Sequence, residues 1–307
     1  VAERAALRAI PIDWGALSPL RLRARVVAEG LYAGTHRSAR RGSGVEFGGQ
    51  RPYVPGDDLR FLDRRSLLRH DRLLVREFET DTDRALWLCL DASASMAFRS
   101  ARAPGAKLAY AALLAAALAR IALAGRDPVG LAWIGSPALG DVQAGTGVGT
   151  YERVVGNLEQ ARAGGDLSRD AHTLESCARL LAERARRGSV VVVLSDLLDL
   201  PPVAEHAIGA LGAGGRALVL VQVLDPVERD LGYHGKVRLR ALEGDAAVVT
   251  DVDLVRDGYR KRLAALQEAW RSEVHRHGGR LVLACTSDDA TAAARAIVQA
   301  IGEARRR

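Results

Sequence analysis

Near-continuous apolar runs at 85–90, 129–134, 189–194 and 217–224 punctuate this chain. Runs of that length without polar alternation predict strands buried on both faces. Helical periodicity fills the intervals. Residues 107–124 form a strong helix stopped by Gly125, 151–163 a helix stopped by Gly164-Gly165, and 172–187 a helix whose Arg184, Arg186 and Arg187 complement the dipole of its last turn. Further helices are predicted at 202–211, 254–277 and 291–304, a last strand at 280–285, and a small hairpin from 237–242 with 247–250. The Gly-rich connection 135–149 holds a short strand near 141–143.

Upstream the pattern is less regular. Residues 1–10 read as a short helix, Pro11 and Pro19 interrupt the next stretch, and 20–31 is helical with Arg21, Arg23 and Arg25 among apolar residues. Residues 73–78 alternate as an edge or hairpin strand leading to the first buried run. Strands and helices in regular alternation predict an α/β fold: a doubly wound, mostly parallel sheet with helices on both faces, plus an N-terminal appendage of short helices and strands. The expected division is an Arg/Gly-rich segment 1–84 packed on a main domain 85–307.

Composition narrows the function classes. At 307 residues and 48% apolar, the chain can fill a large core. Its net charge of +7, from 44 basic against 37 acidic residues, is too small and diffuse to demand nucleic acid. Cys89, Cys177 and Cys285 lie far apart in apolar surroundings and read as small core residues of a reducing compartment. The stretch 108–124 approaches membrane-spanning length, but it is rich in Ala and carries Arg120, which favours a buried core helix. No secretory pattern opens the sequence, and the expectation is a cytoplasmic protein without a membrane span.

The chemistry concentrates where the first buried run ends. Asp91, Ser93 and Ser95 follow it at every second position, and ligand crevices of open α/β sheets lie outside the carboxyl ends of strands. One carboxylate and two hydroxyls are hard oxygen ligands suited to Mg2+ or Mn2+. The same residues also serve as ordinary turn and cap formers. The run 189–194 repeats the pattern and delivers Asp196, a second acid at the crevice or else a cap for the helix near Pro202.

These residues carry a resemblance. Asp91-Ala-Ser93-Ala-Ser95-Met96 is similar to the metal-ion-dependent adhesion site (MIDAS) of von Willebrand factor type A domains. Upstream, Gly34-Thr-His36-Arg-Ser38, Gly42-Ser-Gly44-Val-Glu46-Phe47 and Arg51-Pro-Tyr53-Val-Pro55-Gly56-Asp57-Asp58-Leu-Arg60 resemble the signature of the bacterial family named domain of unknown function fifty-eight. The resemblance runs from about Gly30 to the end. It departs where a tryptophan usually follows the Asp that is here Asp63, since this chain has Arg64. The usual Gly-Thr turn is also missing, so Thr173 is taken as the equivalent of its threonine, with Ser168 and Asp166 as rivals.

The resemblance implies a cation, Mg2+ or Mn2+, weakly bound or partner-dependent, held by Asp91, Ser93, Ser95 and Thr173, with Asp196 contributing directly or through water. An open position would take a carboxylate from a partner or client protein. It also implies a MoxR-type AAA+ ATPase as partner in chaperone-like assembly or maturation. In the N-terminal segment, His36, Arg37, Arg40 and Arg41 form either a solvated basic loop or a site for an acidic partner. Arg51, Asp57, Asp58 and Arg60 form a turn with internal ion pairs or a further partner contact. No P-loop or nucleophile elbow is present, and the function expected is non-enzymatic. A Mg-dependent phosphoryl-transfer hydrolase at the same acids, or nucleic-acid binding through the basic segment, are the alternatives.

Overall fold

The four apolar runs form the middle of one sheet. The computed structural model describes residues 9–35, 46–52, 74–79, 84–135, 140–167, 172–198, 200, 203–243 and 247–306. In chain order the elements begin with β1 (Ile10–Pro11), α1 (Leu20–Thr35), β2 (Glu46–Pro52), β3 (Leu74–Glu79), β4 (Leu86–Asp91), α2 (Lys107–Ala124), β5 (Val129–Ile134), β6 (Val142–Gly145), α3 (Gly147–Gln160) and β7 (Arg162–Ala163). They continue with α4 (His172–Arg184), β8 (Val190–Ser195), α5 (Val203–Gly212), β9 (Ala217–Leu224), α6 (Pro226–Asp230), β10 (Lys236–Arg240), β11 (Ala247–Asp251), α7 (Val252–Arg276), β12 (Arg280–Cys285) and α8 (Ala290–Ala304).

Six strands lie in the order β12-β9-β8-β4-β5-β6. All neighbours run parallel except β6, which closes one edge antiparallel to β5. The chain enters at β4, moves outward through β5 and β6, then returns to the other side of β4 with β8. The strand order therefore reverses between β4 and β8. Leu86 sits opposite both Val129 and Val190, so these strands end level with one another.

Burial on both faces removes polar alternation, yet the side chains still sort by parity. Leu86, Leu88 and Leu90 join one core with α1, α2, α3 and α8, whereas Trp87 and Cys89 join a second core with α4, α5 and Trp270 of α7. This is the expected mixed α/β architecture, with helices over each face. α2 is the most enclosed helix, since its many alanines let it lie close against the sheet and the neighbouring helices. The three cysteines are free and buried.

Two segments differ from expectation. The chain divides into residues 1–34 with 84–307 and, separately, residues 35–83, so α1 goes with the α/β unit instead of with an appendage ending at 84. The cause is a stripe of Leu20, Ala24, Val27 and Leu31 at helical spacing, all in the core, while Arg21, Arg23 and Arg25 face outward. Residues 13–16 reinforce it, as Ala106 N donates to Asp13 O at 2.8 Å and Arg99 pairs with Asp13 at 2.7 Å. The helix expected at 151–163 starts earlier and stops at Gln160, because Arg162 and Ala163 pair with β1 as a short antiparallel ribbon. Tertiary pairing there outweighs local helical preference.

Of the unit 35–83 the described part is an antiparallel hairpin, β2 with β3, irregular between Phe47 and Gly49. Arg51 is on β2 opposite Val75. His36, Arg37, Arg40, Arg41, Asp57, Asp58 and Arg60, and the helix expected over most of 1–10, lie outside the described residues.

Candidate metal centre

Asp91 is the last residue of β4 and is fully buried. Its Oδ1 accepts from Ser93 N at 2.8 Å, a local turn that folds the chain back over the strand end. A 3-10 turn at Ala94–Ala97 then brings the two motif hydroxyls together, with Ser93 Oγ 3.0 Å from Ser95 Oγ. Backbone bonds clamp this loop: Ala92 N to Ile134 O at 2.8 Å, Gly164 N to Ala92 O at 2.7 Å and Ala94 N to Gly165 O at 3.2 Å. Glycine is required at two of the clamping positions. Gly135 and Gly165 have φ of +86° and +97°, and a Cβ on Gly165 would run into the Gly135 carbonyl.

The neighbouring strand adds a residue that the motif pattern does not mark. Ser195, the end of β8, donates its hydroxyl to Asp91 Oδ2 at 2.6 Å and accepts from Leu197 N at 3.0 Å. Asp196 follows it, buried, its Oδ1 accepting from Leu198 N at 3.1 Å. Its Oδ2 is 2.8 Å from Lys107 Nζ, which is also 2.6 Å from Glu228 Oε1. Asp225, at the end of β9, accepts from Val227 N and from Ser100 N, so three adjacent parallel strands each deliver an acid to the same end of the sheet.

The charges there do not balance locally. Burial alone would lower the Lys107 pKa, but Asp196 and Glu228 outweigh it and hold the ammonium above the ordinary lysine value. That lysine is committed to Asp196 and Glu228. Among the described residues no cation pairs with Asp91, and burial, then the Asp196 charge, push its carboxyl up to about 7. Burial likewise raises Glu228 against the opposing pull of Lys107.

A fifth acid arrives from far along the chain. Glu243, between β10 and β11, accepts from Ser95 N at 3.1 Å. Burial raises its pKa, and Asp196 adds to the rise.

Asp91, Ser93, Ser95 and Asp196 therefore converge on one crevice at the point where the strand order reverses. Thr173 is half-buried in the first turn of α4, and its rival Asp166 is buried just after the Gly164-Gly165 clamp. Ser168 is outside the described residues. Among the described residues no group of three or more His, Cys, Asp or Glu side chains is arranged to hold a metal ion. A cation here has to rely on hydroxyl oxygens. The residues fit a hard divalent ion: two hydroxyls lie 3.0 Å apart beside an undercompensated carboxylate, each of whose oxygens carries one described hydrogen bond and has a second acceptor position. Lys107, Ser195, Glu228 and Glu243 were missed from sequence. Lys107 alone left a signal, being one of three lysines in an Arg-rich chain and the first residue of a helix.

The family model described as Protein of unknown function DUF58 matches residues 49–271. Uncharacterized protein Rv1480 of Mycobacterium tuberculosis and Uncharacterized protein Mb1516 of Mycobacterium bovis are each 31% identical over 256 residues, 81% of this chain and 77% of theirs. Among solved structures, the conserved hypothetical protein BatB from Bacteroides thetaiotaomicron aligns over 73% of this chain and 100% of its own, with 15% identity and a TM-score of 0.42. A serine-substituted aerotolerance-related membrane protein from Bacteroides fragilis aligns over 72% and 99%, with 18% identity and a TM-score of 0.43. An uncharacterized membrane spanning protein from Vibrio fischeri aligns over 70% and 96%, with 17% identity and a TM-score of 0.20.

One expectation is corrected here. A strictly cytoplasmic location without a membrane span is not kept, because α2 is by length and composition apolar enough to cross a membrane. Burial accounts for α2 within the domain, where 72% of it is covered, and does not place the chain in any compartment.

Proposed function

This chain belongs to the DUF58 family, and on that footing we propose that it is a non-enzymatic protein-interaction module of von Willebrand factor A type. In this reading a divalent cation, Mg2+ or Mn2+, sits at the ends of β4 and β8 and captures an acidic side chain of a partner protein. The observation that carries it is the pair of Ser93 and Ser95 hydroxyls, 3.0 Å apart beside buried Asp91, at the reversal of strand order.

Asp91, Ser93 and Ser95 are the proposed inner ligands, with Thr173 beside them. Asp196 acts at one remove, since Lys107 holds one of its oxygens. Neutral hydroxyls leave the cation electrophilic, which favours an added carboxylate. The MoxR-type AAA+ ATPase expected from the family resemblance is the candidate partner. A phosphoryl-transfer reading would need an acid or base at the crevice that is free to move protons. Asp196 and Glu228 are bound to Lys107, Asp225 to backbone N–H groups, and Asp91 is in this reading committed to the cation.

Titration calorimetry with Mg2+ and Mn2+ on the wild type and Asp91→Ala tests the reading, run with and without the ATPase. Saturable binding lost in the variant is the expected result. Equal behaviour of the two proteins under every condition would sink it.

A further inference from the structure

The β10–β11 hairpin pairs only with itself among the described strands, and most of its residues are exposed, Val248 and Val249 to 58% and 71%. A lone two-stranded hairpin draws little stability from its own ladder. Its one described contact with the β4 loop is Glu243, 148 residues from Ser95 in sequence, whose Oε1 accepts from Ser95 N at 3.1 Å.

That placement is costly as it stands. Glu243 approaches a crevice that already holds Asp91 and Asp196, while the crevice's lysine is spent on Asp196 and Glu228. Like charges at such spacing repel strongly in a low-dielectric site. A divalent ion among the two hydroxyls, Asp91 and Glu243 removes the conflict. It also gives the site the further oxygen ligand that the missing Gly-Thr turn withholds.

We propose that Glu243 is a ligand of the crevice's divalent cation, supplied by the chain itself on a displaceable hairpin, and that an acidic partner binds by taking its place. This rests on the metal-site reading above. Glu243 occupies the position that a partner's Asp or Glu would take, and the hairpin, anchored to α7 at its base by Val252 N to Gly235 O and Gly235 N to Asp253 Oδ2, both 2.9 Å, can move its far end away. The site then selects partners whose carboxylate, with its surroundings, outcompetes a tethered one.

The test uses the full chain loaded with Mn2+, comparing wild type, Glu243→Gln, Glu243→Ala and Asp91→Ala. Affinity is read by electron paramagnetic resonance, water on the bound ion by water-proton relaxation, and folding by circular dichroism. Both Glu243 variants are expected to weaken Mn2+ by about tenfold or more and to raise the relaxation per bound ion, as water replaces the carboxylate. Acetate should lower that relaxation in the variants and leave the wild type unchanged. Unchanged affinity and relaxation in Glu243→Gln, with binding lost only in Asp91→Ala, overturns this inference and leaves the metal site intact. Weaker binding with unchanged relaxation overturns it too, since Glu243 then acts only through its charge. Failure of the wild type to bind Mn2+ overturns both readings.

Discussion

A lysine in the first turn of a helix meets the positive end of the dipole, and Lys107 does so with no acidic residue in that turn. Its position makes sense only through Asp196 and Glu228, which it joins while fully buried. Removing one partner of a buried ion pair leaves an uncompensated charge, so Lys107→Met is expected to cost about 3–5 kcal/mol, measured by urea unfolding. Gly165 poses a steric question on the same scale. Gly165→Ala meets both a positive φ and the Gly135 carbonyl, and is expected to destabilise by about 1–3 kcal/mol. It should also loosen the motif loop, read as faster amide exchange at Ala94, whose N–H bonds Gly165 O.

Among the elements, β4 and α1 show how far local pattern reaches. β4 was legible because six apolar residues in a row can only be a buried segment, and the Asp that ends the run marks where it leaves the core. α1 was legible as a helix, but its attachment was not, since Arg21, Arg23 and Arg25 drew attention away from the stripe of Leu20, Ala24, Val27 and Leu31. Deleting residues 1–34 is therefore expected to strip a core-facing helix and lower the unfolding midpoint sharply or abolish soluble expression. A midpoint within a few degrees of the full chain would show that α1 is dispensable. The hairpin ladder was legible as well, whereas the destination of its tip was not.

For the molecule as a whole, ligand binding couples to stability. A cation that binds only the folded chain stabilises it by about 2.7 kcal/mol at one hundred times its dissociation constant. Mg2+ is expected to raise the unfolding temperature of the wild type in a concentration-dependent way and to leave that of Asp91→Ala unmoved, checked by calorimetric scans. Equal shifts in both would point to non-specific ion effects.

The sequence by itself determined the strands of the six-stranded sheet, most helix boundaries within the α/β unit, and the delivery of Asp91, Ser93, Ser95 and Asp196 to strand ends, because hydrophobic runs and their polar stops are local properties of the chain. Tertiary structure alone decided which charges meet. Lys107 reaches Asp196 across 89 residues and Glu243 reaches Ser95 across 148, and no spacing rule operates over such distances. Those contacts depend on strand order and on where a hairpin folds back, and both are set when the helices close over the sheet. The motif carries the candidate ligands, but only the assembled crevice shows that one acid is already neutralised and another carboxylate is already in place.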